Sequence, residues 1–203
     1  MPVLLSTAYL PPVSYLSGCL KSDELWVEGF ETYPKQTSRN HCKIYGPNGL
    51  QTLSVPVIKV NGNHTLTKDI RIANSIPWQR SHWRSIETAY NNSPFFLFYK
   101  DEFEPFFERQ FDFLLDLNTE LTEVIFNILR IEKKITCTEK FLEIHDSIED
   151  YRWVKKKEVT SIKAFPPYTQ VFSPKYGFIP DLSIIDLIFN LGPESRDFLN
   201  SEK

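Results

Sequence analysis

The chain reads as an α/β protein, one domain over residues 1–203 with a mixed sheet covered by helices. Three observations predict it. Short apolar, β-prone runs at residues 3–9 and 24–30 bracket a helical stretch, the opening of a βαβ unit. Gly46-Pro47-Asn48-Gly49 separates two further β-prone runs as a hairpin turn, because Gly and Asn supply the positive φ that a tight reversal needs. From Trp78 to Lys133 the apolar spacing becomes helical. The opening strand, helix and strand leave a Rossmann-like nucleotide-binding arrangement open, with α+β as the alternative.

In order, the first strand ends at Pro11 and Pro12, and a helix follows with Val13, Leu16 and Leu20 on one face. Beyond the second strand, residues 31–44 begin polar and irregular and become a strand near His41. Residues 53–60 are its returning partner, and residues 66–73 alternate as one more strand. Trp78, His82, Ile86, Ala89 and Tyr90 then share a helical face, with Arg80, Arg84 and Glu87 on another. Ser93-Pro94 starts a helix carrying Phe103, Phe106, Phe107, Phe111 and Leu114, and Asn118 caps the next, whose stripe is Leu121, Val124, Ile125, Ile128 and Leu129. Residues 135–137 read as a strand and 138–145 as a short helix. The charged stretch 146–160, ending in Lys155-Lys156-Lys157, reads as a solvated face, with phosphate binding as the alternative. Residues 164–180 form an ordered loop of prolines and aromatics, and Ser183 caps a last apolar helix that Gly192 closes.

A chain of 203 residues can bury a sizeable core without disulfides or metals. Its net charge of -3 weighs against a protein that coats nucleic acid, which needs a basic footprint. Cys19, Cys42 and Cys137 are widely spaced, with no C-x-x-C pair and no His at zinc-ligand spacing; they read as reduced, buried, small hydrophobes of a cytoplasmic protein. No leader and no membrane-spanning run is expected. The sequence indicates no metal site and names no cofactor.

Two constellations carry possible chemistry. Lys35, Gln36, Arg39, Asn40 and Lys43 crowd the entry to the hairpin, with donors suited to a phosphate or carboxylate, or else form a solvated connection with Arg39 in an ion pair. Arg80, His82, Trp83, Arg84 and Glu87 lie within two helical turns. Trp and Arg can stack a sugar or base and clamp an anion, while His and Glu can move protons. The plainer reading buries Trp78, His82 and Ile86 as core and pairs Arg84 with Glu87. Glu28 with Glu31, and Asp181 with Asp186, are candidate carboxylate pairs; Asp186 stands in an apolar helix, where it either ties down the Pro-rich loop or an Arg, or serves a site with a shifted pKa.

Four stretches, YLPPVSYL, KQTSRNHCKIYGPNGLQTLSVPV, WQRSHWRSIETAYNNSPFF and FIPDLSIIDLIFNLGPES, together resemble the WbqC-like family over nearly the whole chain. Members occur with genes for O-antigen and other bacterial surface polysaccharides. The resemblance therefore implies a transferase of polysaccharide biosynthesis that modifies an activated or amino sugar by acyl or aminoacyl transfer. Its ligand would be a sugar or nucleotide sugar, with an aminoacyl-tRNA donor as the nucleic-acid exception; the alternative is a non-catalytic binding or assembly protein. Combined with the residue reading, this makes His82, Glu87 and Asp186 the catalytic candidates. The substrate-binding candidates are Lys35, Gln36, Arg39, Asn40, Trp78, Trp83, Arg84, Tyr90, Ser93, Asp181 and Ser183. Many relatives carry His-Gln-Pro before the YLP; here Leu5, Ser6 and Thr7 stand there. Longer relatives also have a Ser-Gly-rich segment where this chain has its charged stretch.

Overall fold

The computed structural model describes residues 1–34, 37–143, 148–152 and 165–201. Four strands, β1 (Val3–Ser6), β2 (Leu25–Glu28), β7 (Ile135–Cys137) and β8 (Glu149–Tyr151), form an all-parallel sheet in the order β7-β2-β1-β8. Val3, Leu4 and Leu5 of β1 are fully buried, which explains the unbroken apolar run: a central parallel strand is covered on both faces. Helix α1 (Val13–Leu20), with the bounds its spacing predicts, connects β1 to β2, which pair from Val3↔Leu25 to Ser6↔Glu28. β8 lies inside the stretch expected to be solvated and charged. Its sequence, EDY, has little strand propensity, and only pairing with β1 makes it a strand.

The α/β class holds, but the hairpin builds a sheet of its own instead of joining the parallel one. β3 (His41–Gly46) and β4 (Gly49–Ser54) pair antiparallel, closing at Gly46↔Gly49, where φ of 98° at Gly49 requires glycine. The returning strand therefore starts at the turn and ends at Ser54, not over the expected residues 53–60, and Pro56, which has no N–H to donate, separates it from the next strand. The next pair is β5 (Val57–Ile58) with β6 (Arg71–Ile72). Residues 66–73 are therefore mostly not a strand. A 3-10 turn at Thr67–Asp69 precedes β6, tied down by the Thr67 N–H to the Glu31 carbonyl and the Lys68 N–H to the Gly29 carbonyl.

Helix α2 (Trp78–Tyr90) buries Trp78, His82, Ile86, Ala89 and Tyr90, the predicted face, together with Trp83. The long helix expected after Ser93-Pro94 is two short ones, α3 (Phe96–Phe103) and α4 (Pro105–Glu108), since Pro105 cannot continue the hydrogen-bond ladder. α5 (Leu114–Ile128) starts earlier than expected, so Asn118 is buried inside it and is not its N-cap. Residues 138–143 form no helix; the remainder of that expected element lies outside the described residues, as do Lys155, Lys156 and Lys157. Three helices close the chain: α6 (Ser173–Tyr176), α7 (Ile184–Leu191) and α8 (Ser195–Asn200). Phe189 of α7 meets Tyr90, Phe96 and Phe103 at ring-centroid distances of 5.3, 5.1 and 5.6 Å, joining α7 to α2 and α3. Cys19 and Cys42 are buried as expected, but Cys137 is exposed, because β7 is an edge strand.

The short α1 has no basic residue in its last turn, and its end is capped from elsewhere. Lys133 Nζ donates to the carbonyls of Cys19, Leu20 and Ser22 at 3.1, 2.8 and 2.7 Å, which satisfies orphan carbonyls and sets a positive charge at the negative end of the helix. Lys133→Met keeps the apolar stem and removes these bonds. We expect it to lower stability by about 1–3 kcal/mol, measured by urea unfolding; an unchanged midpoint would show that the ammonium contributes nothing.

A candidate site at the carboxyl edge of the parallel sheet

Numbering the parallel strands in chain order gives 3-2-1-4, so the connections part at β1, with β2 on one side and β8 on the other. In open α/β sheets ligands bind outside the carboxyl ends of strands at such a reversal. Here that edge carries Ser6 at the end of β1 and Thr7 after it, Glu28 at the end of β2 and Arg152 after β8, all buried.

Two guanidinium–carboxylate pairs flank the end of β1. Arg39 Nε and Nη2 grip Glu31 through both carboxylate oxygens at 2.7 Å, Nη2 also donates to Ser6 Oγ at 2.6 Å, and Nη1 donates to Thr37 Oγ1 at 3.2 Å. On the other side Arg152 Nη1 donates to Glu28 Oε2 at 3.3 Å, while its Nε and Nη2 hold Asp150. Donating these hydrogen bonds to Asp150 raises the Arg152 pKa above its ordinary value, against the opposing effect of burial. Glu28 is wholly buried and also accepts from the Phe30 and Leu142 N–H groups and from Thr138 Oγ1. Buried charges are tolerated only when every lone pair and proton finds a partner, and these bonds supply them. Asn118, from α5, closes the cluster: its Nδ2 donates to Thr7 Oγ1 at 3.0 Å and to the Arg39 carbonyl at 2.8 Å.

The connection from β1 to α1 gathers the remaining motif stretches. The Tyr9 hydroxyl and His82 Nδ1 are 2.9 Å apart, and the His82 ring stands edge-on to Trp78 at 5.0 Å. Burial lowers the His82 pKa to about 4, so the imidazole is neutral at pH 7. Asp181 accepts from Ser14 N–H and Ser14 Oγ at 2.9 and 3.0 Å, placing a carboxylate at the positive end of α1. Ser183 Oγ donates to the Leu10 carbonyl, its N–H to the Lys43 carbonyl. Leu10 and Asp181 both adopt positive φ, 41° and 52°, a costly conformation for residues with a Cβ and one that recurs at functional sites.

The structure thus brings Arg39, Asn118, Asp181 and Ser183 to the two ends of one connection, with His82 and Trp78 behind it. The other predicted residues lie elsewhere. Asn40 Nδ2 donates to the Val55 carbonyl. Trp83 is stacked on Phe107 at 5.3 Å within the core, the Tyr90 hydroxyl accepts from the Tyr45 N–H, and Ser93 Oγ donates to the Tyr90 carbonyl. Arg84 and Glu87 are exposed on α2. Asp186 accepts from the Tyr168 hydroxyl at 2.6 Å and Gln170 Nε2 at 3.0 Å, so this buried carboxylate fastens the Pro-rich loop. Among the described residues no hydrogen bond joins His82, Glu87 and Asp186 to one another. Lys35 and Gln36 lie outside the described residues. The sequence reading missed Thr7, Asn118 and Arg152; an amide inside an apolar helical stripe was the available signal for Asn118. Among the described residues no group of His, Cys, Asp and Glu has the arrangement of a metal site, and no helix is long and apolar enough to cross a membrane.

Two measurements follow. Arg39→Met leaves Glu31 and Ser6 without their donor, so a loss of about 3–5 kcal/mol of stability is expected by denaturant titration; a loss below 1 kcal/mol would mean that the pair is not buried in solution. Burial, opposed by the hydrogen bonds from Tyr168 and Gln170, raises the Asp186 pKa to about 6. Between the unfolded value near 4 and this folded value the native chain binds more protons, so stability from this group is greatest in acid and lost as pH rises through about 6. Asp186→Asn keeps an acceptor and removes the titration. Its melting temperature relative to the parent protein should therefore be higher at about pH 7.5 than at about pH 5, and equal differences at both would count against the shift.

The profile of the WbqC-like protein family matches residues 7–156, which run from the end of β1 past Arg152. An uncharacterized protein of Mycobacterium tuberculosis, Rv1507c, is 24% identical over 225 aligned positions, covering 97% of this chain and 96% of that protein. No solved structure matches the chain. With a family match over most of its length, beginning at the strand reversal around which its buried charges are arranged, the chain belongs to the WbqC-like protein family.

Proposed function

We propose that the protein binds an activated or amino sugar of bacterial surface-polysaccharide synthesis outside the carboxyl ends of β1 and β8, and that it serves the modification of that sugar by acyl or aminoacyl transfer. The observation that carries this reading is the reversal of strand order at β1, the position where open α/β sheets take their ligands. The sugar assignment rests on the occurrence of WbqC-like family members with genes for surface polysaccharides. Arg39 contributes by holding Ser6 and Glu31 in place, because four hydrogen bonds already occupy its guanidinium.

One observation favours a second reading, a non-catalytic binding or assembly protein acting through the same surface. The carboxyl end of β1 carries Leu5, Ser6 and Thr7, none of which moves a proton near neutral pH, and the nearby His82 is buried and neutral.

Thermal shift against nucleotide sugars, free amino sugars and acyl-coenzyme A donors tests the proposal. A ligand at about a hundredfold its dissociation constant stabilises by about 2.7 kcal/mol, which raises the melting temperature by several degrees. Hydrogen-exchange protection by that ligand is expected at residues 6–12 and 149–152. A mass increase of the sugar on adding a donor supports transfer, and binding without product supports the second reading. No stabilisation by any sugar or donor, or protection confined to other segments, would overturn the site.

A further inference from the structure

A groove of about 590 Å³ runs between the turn of the β3–β4 hairpin and the solvent face of α2, and none of its lining residues belongs to the carboxyl edge. Arg80 and Arg84 line it, with Ser81 and Ser85 on the adjacent ridge and Asn48 and Gln51 on the hairpin wall. The two arginines are exposed and one helical turn apart, about 6 Å along the axis. Neither side chain forms a hydrogen bond or ion pair among the described residues, and the ordinary helix pair that Arg84 has available, with Glu87, is not made. Like charges at this spacing repel and weaken a helix. The chain nevertheless keeps both beside the unbonded Asn48 amide and Ser81 hydroxyl.

The walls are fixed before any ligand arrives. Gln51 Nε2 donates to Ser85 Oγ at 3.1 Å, which in turn donates to the Ser81 carbonyl, and the Tyr176 hydroxyl holds the Pro47 carbonyl of the turn at 3.0 Å. The walls are thus pre-organised, and the ordering cost of binding falls on the two unbonded arginines. Two guanidinium forks one turn apart can each take a separate phosphoryl centre, which a diphosphate offers and a single carboxylate does not.

We propose that this groove binds the diphosphate group of a phosphorylated ligand through Arg80 and Arg84, with the Asn48 amide and Ser81 hydroxyl completing the oxygen contacts. The site stands on these side chains alone and does not depend on the reading given for the carboxyl edge.

Calorimetric titration with inorganic pyrophosphate tests it. Binding tighter than that of orthophosphate, and weakening as salt is added, is expected. Arg80→Ala and Arg84→Ala should each reduce affinity by at least about tenfold, the worth of a charge-assisted hydrogen bond, and the double variant should not bind. Because both side chains are exposed, the unbound variants should melt at or slightly above the parent temperature, an outcome that a structural role would not give. UDP then serves as the competitor and glucose 1-phosphate as the single-phosphate control: displacement of pyrophosphate by UDP supports the site and identifies a nucleoside diphosphate as its source, whereas equal displacement by glucose 1-phosphate would overturn the diphosphate assignment. No pyrophosphate binding, parent-like binding by the folded double variant, or no displacement by UDP would overturn the proposal.

Discussion

A guanidinium buried beside the end of a central strand must have its charge and its donors satisfied at once, and much of this fold follows from how Arg39 meets that demand. Its fork is closed by Glu31, its remaining reach is taken by Ser6 and Thr37, and its carbonyl receives Asn118. The segment before the hairpin, the exit of β1 and the middle of α5 are thereby fixed to one another. Arg152 repeats the device on the far side, joining β8 to the end of β2 through Glu28. Buried ion pairs of this kind add little net stability over apolar packing, but leaving one partner behind is costly. They therefore define how the elements meet more than how strongly.

The same economy appears at α1. This helix is only two turns long, with no acidic residue in its first turn and no basic one in its last, yet Asp181 sits at its amino end and Lys133 at its carboxyl end. Each opposes the helix dipole with the correct sign. In many parallel sheets the amino end of the first helix takes a ligand's phosphate. Here the chain's own carboxylate occupies that position, supplied by the C-terminal segment whose Ser183 also bonds the Leu10 carbonyl. Positive φ at both Leu10 and Asp181 accompanies this junction.

The aromatic content, by contrast, is spent on the core. Trp83, which by type suits stacking on a sugar, is packed on Phe96 and Phe107, and Tyr90 is packed on Phe189, which also meets Phe96 and Phe103. The exposed face of α2 carries Arg80 and Arg84, together with Glu87. One helix thus serves the core with one face and carries unpaired cations on the other, an amphipathic division that its spacing already implied.

The sequence by itself determined the elements governed by local rules. The opening strand, helix and strand, the hairpin with its glycine turn, the buried face of α2 and the strand at Ile135–Cys137 were all legible, because periodicity, proline and positive φ act within a few residues. Arg39, His82, Asp181 and Asp186 stood out by residue type. Their partners did not: Ser6 is 33 residues from Arg39, Tyr9 is 73 from His82, and Asp181 is 167 from Ser14. Only the tertiary structure decided that β8 completes the parallel sheet, that the hairpin stands apart from it, and that Asn118 points from inside α5 into the buried cluster. Strand pairing and the satisfaction of buried charge depend on groups distant in the chain, and local spacing holds no record of which of them will meet.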